Sequence, residues 1–248
     1  MGLELAALLR DPVFRGQGVT DGRGQPVLLI PGFLAGDESL RLMGRWLKGT
    51  GHHPNRAGIR ANVGCSAKAM DRLERRLEAL VERQGRRAAI VGHSRGGSFA
   101  KVLAHRRPDL VSGIVTLGCP LSDPLATHPV VRAQLELIAT LGRMRVPGLF
   151  SRACLEGECC ASFWQDMAAP MPRGVGQVSI YSRTDGVIRW EACLPAGAEL
   201  VEIESSHCGM AVHPGAYRAI AESLEAFRSR DARRRPVRRT AAPLRRVA

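Results

Sequence analysis

The chain has 248 residues, of which 45% are hydrophobic, and its formal net charge at neutral pH is +13. This length suits one large domain or two small ones, with enough apolar residues to bury a sizeable core. No apolar run reaches the roughly 18 residues that a membrane span needs. The first nine residues lack the basic leader and the apolar length of a secretory signal. These features argue against a membrane-spanning or secreted protein, and we expect a cytoplasmic one.

The positive charge is concentrated at the C-terminus. Residues 228–248 hold nine arginines and one aspartate, which leaves a net charge of only +5 for residues 1–227. Two prolines and little apolar content predict that this basic tail is disordered. A body of modest charge is unlike a typical nucleic-acid-binding domain. Two interpretations of the tail stay open: a solvated extension without a partner, or a weak electrostatic contact with acidic lipid or nucleic acid.

Predicted strands and helices alternate along the first half of the chain. A continuous apolar run at 27–30 ends at Pro31 and Gly32, as a buried parallel strand does. Asp37 or Ser39 can cap the helix that follows. The further predictions are a helix to about Leu47, a weaker strand at about 55–61, a helix at 66–83 with apolar residues at helical spacing, and a strand at 87–92.

The alternation continues to the end of the predicted body. We expect a helix at 97–106, strands at 113–117, 176–182 and 200–204, and a final helix at about 216–228. Repeated strand–helix units predict an α/β fold with a mostly parallel sheet and helices on both faces. The predicted domain is residues 1–227, followed by the tail at 228–248.

The segment at about 120–172 interrupts this alternation, because it contains no convincing strand. Val131, Leu135, Ile138 and Leu141 form an apolar helical stripe within it. It can be an ordinary helix on the sheet. We favour the other interpretation, a helical cap insertion that supplies an apolar acyl pocket.

The most informative motif is Gly-His-Ser-Arg-Gly at residues 92–96, between the strand at 87–92 and the helix at 97–106. A Gly-x-Ser-x-Gly turn between a strand and a helix exposes the serine hydroxyl above the sheet. The glycines are needed because side chains there would clash with the neighbouring strand and helix. We therefore predict that Ser94 is a nucleophile.

A serine needs a base to take its proton and an acid to hold that base. In this kind of sheet they come from loops at the carboxyl ends of later strands. Asp185 follows the strand at 176–182, and His207 follows the strand at 200–204. Asp123 is the best rival acid, and His213, at the edge of the last helix, is a poorer base.

An oxyanion needs two backbone N–H donors. Arg95 directly follows the nucleophile and supplies one, while Phe33, after the first strand, supplies the other. For the Arg95 side chain we expect a structural bridge to a carboxylate rather than a substrate contact.

The chain has seven cysteines, and we expect that four of them can gather in space: Cys154, Cys159, Cys160 and Cys193. Free thiols, disulfides and a metal site all stay open. The absence of a Cys-x-x-Cys pair argues against a zinc knuckle.

Taken together, Pro31-Gly32-Phe33, the 92–97 turn, Asp185 and His207 resemble the α/β-hydrolase family over about residues 26–227, and within it bacterial lipases and esterases. The resemblance implies an α/β-hydrolase fold and a Ser94–Asp185–His207 triad. It also implies no cofactor and cleavage of acyl ester or lipid substrates through an acyl-enzyme, and we expect no metal ion among these site residues. A thioesterase or acyltransferase with the same triad, and an inactive hydrolase fold that serves as a binding module, stay open as alternatives. The sequence does not indicate an oligomeric state.

Overall fold

A computed structural model describes residues 2–123, 128–144, 146, 148–156 and 159–233. Its centre is a six-stranded sheet in which every strand is parallel to its neighbours, in the order β2-β1-β3-β4-β5-β6. The strands are β1 (Pro26–Ile30), β2 (His53–Arg56), β3 (Ala88–His93), β4 (Val111–Leu117), β5 (Gly176–Tyr181) and β6 (Glu199–Glu202). The four inner strands are buried along their whole length, as their continuous apolar runs predict.

Helices cover both faces of the sheet. They are α1 (Gly2–Arg10), α2 (Arg41–Gly49), α3 (Ser66–Gln84), α4 (Arg95–Arg106), α5 (Pro129–Arg143), α6 (Arg152–Glu156), α7 (Ala161–Ala168) and α8 (Pro214–Arg233). One face packs against α3, α4 and the α5–α7 segment, and the other against α1, α2 and α8. Alternate residues of each strand point to opposite faces of the sheet, and each face has its own hydrophobic core. Leu28 and Ile90 belong to the core under α3 and α4, and Val27 and Val91 belong to the core under α2 and α8.

The α5–α7 segment is the helical insertion that the sequence predicts between β4 and β5, and we call it the cap. Two elements differ from the expectation. The helix α1 has no counterpart among the predicted elements, although its Leu8 is fully buried. The last helix runs to Arg233, so residues 228–233 are helical rather than part of a tail. The remainder of the predicted tail, 234–248, lies outside the described residues. No helix in the described part of the chain has the length and apolar character to cross a membrane.

Candidate active site

Ser94 lies on the sharp turn between β3 and α4. Its φ of 50° and ψ of −124° fall in the left-handed half of backbone space, which L-residues rarely adopt. The flanking glycines make the turn possible: a Cβ on Gly92 would clash with the backbone of Gly96, and one on Gly96 would clash with the backbone of Ile30. The hydroxyl of Ser94 is thereby carried to the carboxyl edge of the sheet.

Asp185 and His207 meet at this same edge. His207 Nδ1 lies 2.7 Å from Asp185 Oδ2, and both side chains are buried. The second carboxylate oxygen, Oδ1, accepts hydrogen bonds from the backbone N–H groups of Val187 (2.8 Å) and Ile188 (2.6 Å). The carboxylate is therefore fixed by its own loop and is presented to the imidazole in one orientation.

The end of β4 brings this pair close to the serine turn. The backbone N–H of Ser94 donates to Leu117 O at 2.8 Å. The next residue, Gly118, has a φ of 54°, and a Cβ there would lie 3.0 Å from both Asp185 Oδ2 and His207 Nδ1. A larger residue at position 118 would thus separate the acid from the base. The structure thus pairs Asp185 with His207 and places His207 against His93, the neighbour of Ser94; the hydrogen bonds of the described residues include none between Ser94 and His207.

Two further side chains hold the His207 loop. His93 Nε2 lies 3.0 Å from the backbone carbonyl of His207, and the two rings are 4.9 Å apart. On the opposite side, Glu4 of α1 accepts hydrogen bonds from the Ser206 hydroxyl (2.6 Å) and backbone N–H (3.2 Å). Sequence reasoning missed Glu4, because α1 was not among the predicted elements. It also missed the contact of His93, which depends on the path of the loop after β6.

The two predicted oxyanion donors flank the serine. Arg95 is the first residue of α4, so its backbone N–H has no partner within the helix. Phe33 follows Gly32, whose Cα approaches the Ser94 side chain so closely that an added Cβ would be 3.1 Å from Ser94 Cβ. The next residue, Leu34, has a positive φ of 61° and is half exposed. The loop after β1 therefore lies directly against the nucleophile.

The expectation that the Arg95 side chain bridges to a carboxylate was wrong. Its guanidinium donates to the Asn62 carbonyl (2.9 Å) and side-chain oxygen (3.1 Å), to Gly64 O (2.7 Å) and to Ser66 Oγ (3.1 Å). It also lies over the rings of Phe99 and Phe150. All four hydrogen-bond partners are uncharged. Burial lowers the pKa of this arginine to about 10.

The rival residues lie elsewhere. Asp123 pairs with Arg189 at 3.1 Å on the surface. A further acidic residue, Asp166 in the cap, pairs with Arg106, at the end of α4 opposite to Ser94. His213 accepts a hydrogen bond from the Gly215 backbone N–H at 3.1 Å, and burial lowers its pKa. None of them contacts the Asp185–His207 pair among the described hydrogen bonds.

The cap is attached on both sides of the site. Before α5, the backbone N–H of His128 donates to Val187 O, two residues after Asp185, at 2.7 Å. Beyond α5, Phe150 packs against Phe33, with ring centroids 6.2 Å apart. The helix α5 therefore extends from the loop that contains Asp185 towards the loop that contains Phe33. Its exposed apolar residues fall on one stripe: Val130, Leu137, Leu141 and Met144.

The expected cysteine group is only partly correct. Cys193 lies apart in a small cluster with Tyr181 and Ile188. Its place near Cys154, Cys159 and Cys160 is taken by Cys65, from the loop before α3. The sequence could not indicate this, because Cys65 is remote from the others along the chain and forms no local motif with them.

No protein-family model matches this sequence, and no curated protein does. Solved structures do match. A lipase from Bacillus licheniformis in its mature form is 12% identical, with a TM-score of 0.60 over 83% of this chain and 93% of that one. A soluble variant of monoglyceride lipase from Saccharomyces cerevisiae is 16% identical, with a TM-score of 0.59 over 85% and 88%. A monoacylglycerol lipase from Paleococcus ferrophilus is 17% identical, with a TM-score of 0.54 over 84% and 96%.

Proposed function

From this fold, which is similar to that of lipases and esterases and is the α/β-hydrolase fold that the sequence predicts, we propose that the protein is a serine hydrolase that cleaves carboxylic esters through an acyl-enzyme. The observation that carries the proposal is the buried Asp185–His207 pair, 2.7 Å apart, beside the strained turn of Ser94. A carboxylate locked by two backbone N–H groups fixes the tautomer of the histidine, with its proton on Nδ1.

The proton transfers follow from this tautomer. With Nδ1–H donating to Asp185, Nε2 of His207 is the nitrogen with a free lone pair. It takes the hydroxyl proton as Ser94 Oγ attacks the ester carbonyl carbon. The negative charge on the carbonyl oxygen is stabilised by the backbone N–H groups of Phe33 and Arg95. The histidine then protonates the leaving alkoxide, and water repeats the sequence to release the acid.

The cap supports an apolar acyl group as the part of the substrate that is recognised. Its helix α5 is attached beside the acid loop and beside Phe33, and it carries an exposed apolar stripe that includes Leu137 and Met144. The side chain of Leu34, at the oxyanion loop, is also half exposed. Exposed apolar residues on elements attached to the loops of Asp185 and Phe33 suit acyl chains better than charged or sugar esters.

The first test is Ser94→Ala. We expect kcat on an activated acyl ester to fall by a factor on the order of 10⁴ or more, and fluorophosphonate labelling to disappear, because no other group supplies the nucleophile. Ser229→Ala, in the last helix, is the matched control and should keep both activity and labelling. Turnover that persists in the Ser94 variant would rule out the serine mechanism.

The second arm of this experiment is a panel of acyl esters and acyl thioesters of graded chain length, assayed with the wild type and Ser94→Ala. We expect Ser94-dependent turnover of esters, with kcat/KM that rises with acyl length. Preference for thioesters would identify a thioesterase instead. Absence of both turnover and labelling in the wild type would favour a binding module.

A further inference from the structure

Four cysteine sulfurs meet between the cap and the body of the protein. Cys65 directly precedes α3, Cys154 lies in α6, and Cys159 and Cys160 form the turn before α7. All four Sγ atoms lie within 4.8 Å of one another, and none of these cysteines forms a disulfide. Three segments of the chain thus converge on one small volume, where the potential metal ligands of the described residues are all thiols.

The spacing of the sulfurs matches a single tetrahedral ion. The Sγ–Sγ distances are 3.8 Å for Cys65–Cys159, 3.6 Å for Cys65–Cys160, 3.6 Å for Cys159–Cys160 and 3.1 Å for Cys154–Cys159. Four sulfurs around zinc, each bonded at about 2.3 Å, lie about 3.8 Å from one another. A disulfide needs about 2.05 Å between sulfurs. The arrangement is therefore much closer to a coordination sphere than to a disulfide pair.

The charges around the sulfurs favour an anionic group. Arg95 is partly buried, and among the described residues its guanidinium has only uncharged hydrogen-bond partners. It donates to Gly64 O and Ser66 Oγ, the residues on either side of Cys65. A buried cation without a carboxylate is costly unless another anion lies nearby. With four neutral thiols, the described residues would leave this cation without a compensating charge, whereas a zinc ion with four thiolates carries a charge of −2.

Two helix N-termini also stabilise negative charge on the sulfurs. Cys65 occupies the N-cap position of α3, and Cys160 occupies that of α7. Each N-terminus is equivalent to about +0.5 elementary charge and favours a thiolate over a thiol. Together with the guanidinium of Arg95, they offset the negative charge of a tetrathiolate site.

We propose that Cys65, Cys154, Cys159 and Cys160 bind one zinc ion in a structural site. Four protein ligands leave no open position for water or substrate, so the ion has no part in the ester chemistry. It joins the cap to the start of α3 and fixes the 62–66 loop that holds Arg95, the residue after the nucleophile. Binding converts the four thiols to thiolates and releases their protons to solvent.

Metal content tests the site without reference to activity. The full chain, purified under reducing conditions without chelators, should contain about one zinc per chain by mass spectrometry of the metal. Cys159 is the exposed member of the four, so its substitution disturbs the core least. We expect Cys159→Ser to lower the zinc content at least tenfold. Cys159→His should retain zinc, because three cysteines and one histidine also form a zinc site.

Cys208→Ser is the matched control, since Cys208 is also exposed but lies outside the cluster; its zinc content should equal that of the wild type. X-ray absorption at the zinc edge of the wild type should give four sulfur neighbours at about 2.3 Å, which does not depend on any variant folding. Iron in place of zinc, no bound metal, or a disulfide between any two of the four cysteines would each overturn the proposal.

Discussion

His93 shows how a single side chain beside the proposed nucleophile can support the proposed base. Its imidazole is buried and reaches the backbone carbonyl of His207, so the residue before Ser94 helps to hold the His207 loop. Sequence order was sufficient to predict that the loops of Asp185 and His207 meet at the carboxyl edge of the sheet, because parallel strands deliver their carboxyl ends to one edge. It could not predict the His93 contact, which depends on the path of the loop after β6.

The buried state of His93 gives the protein a pH-dependent stability. Burial, and then the charge of His207, lower the pKa of His93 from 6.5 to about 4. Between these values the unfolded chain binds more protons than the folded one, so stability is fully present above pH 6.5 and is lost as the pH falls. The loss below pH 4 is up to about 3 kcal/mol. The pKa values of His52 and His213 are also lowered by burial, with the same sign.

The direction of this pH dependence is tested by measuring the free energy of unfolding in urea for the wild type and His93→Gln at about pH 7 and about pH 4.5. The glutamine can still donate to the His207 carbonyl but does not titrate. We expect the wild type to lose more stability on acidification than the variant does. Equal losses in the two proteins would exclude His93 as a source of the effect.

Among the elements, α1 has a larger role than its sequence suggests. Its short apolar stretch did not predict a helix, because the stability of so short an element comes from packing rather than from propensity. In the structure, Leu8 is fully buried and Glu4 accepts a hydrogen bond from Ser206, the residue before His207. The helix therefore closes the core below the His207 loop and also restrains that loop.

We predict that Glu4→Ala lowers kcat on an ester substrate about tenfold with little change in KM. The variant loses two hydrogen bonds to Ser206, each worth on the order of 1 kcal/mol, which orient the base rather than bind substrate. Glu4→Gln keeps an acceptor oxygen and should retain most of the activity. A wild-type kcat for Glu4→Ala would show that α1 does not act on the site.

At the scale of the whole molecule, strand–helix alternation predicted the parallel sheet and the helical insertion after β4. The same reasoning failed where distant segments meet. Cys65 joins the cap cysteines only because α3 begins beside the cap, and no local spacing records that contact. The predicted end of the folded domain was also too early. The arginine-rich residues 228–233 were predicted to belong to the tail, but they continue helix α8, and Arg230 and Asp231 make specific contacts.

Those contacts make the position of a truncation decisive. Arg230 lies over the ring of the fully buried Phe227, and Asp231 lies 3.5 Å from Arg87. A chain that ends at Arg233 should keep the kcat and Tm of the full protein. One that ends at Phe227 should lose several degrees of Tm, because each kcal/mol is worth about 2–4 °C in a protein of this size. Equal Tm values for the two truncations, measured by calorimetry, would contradict this account of the last helix.

The strained backbone of Ser94 means that the stability of the fold and the proposed chemistry favour different residues at this position. A glycine at position 94 would relieve strain on the order of 1–3 kcal/mol, but it would remove the hydroxyl. At this position a more stable fold would therefore be one without the proposed nucleophile. If Ser94 has that role, engineering that screens for thermal resistance alone would select against it, so such a screen must be paired with an assay of turnover.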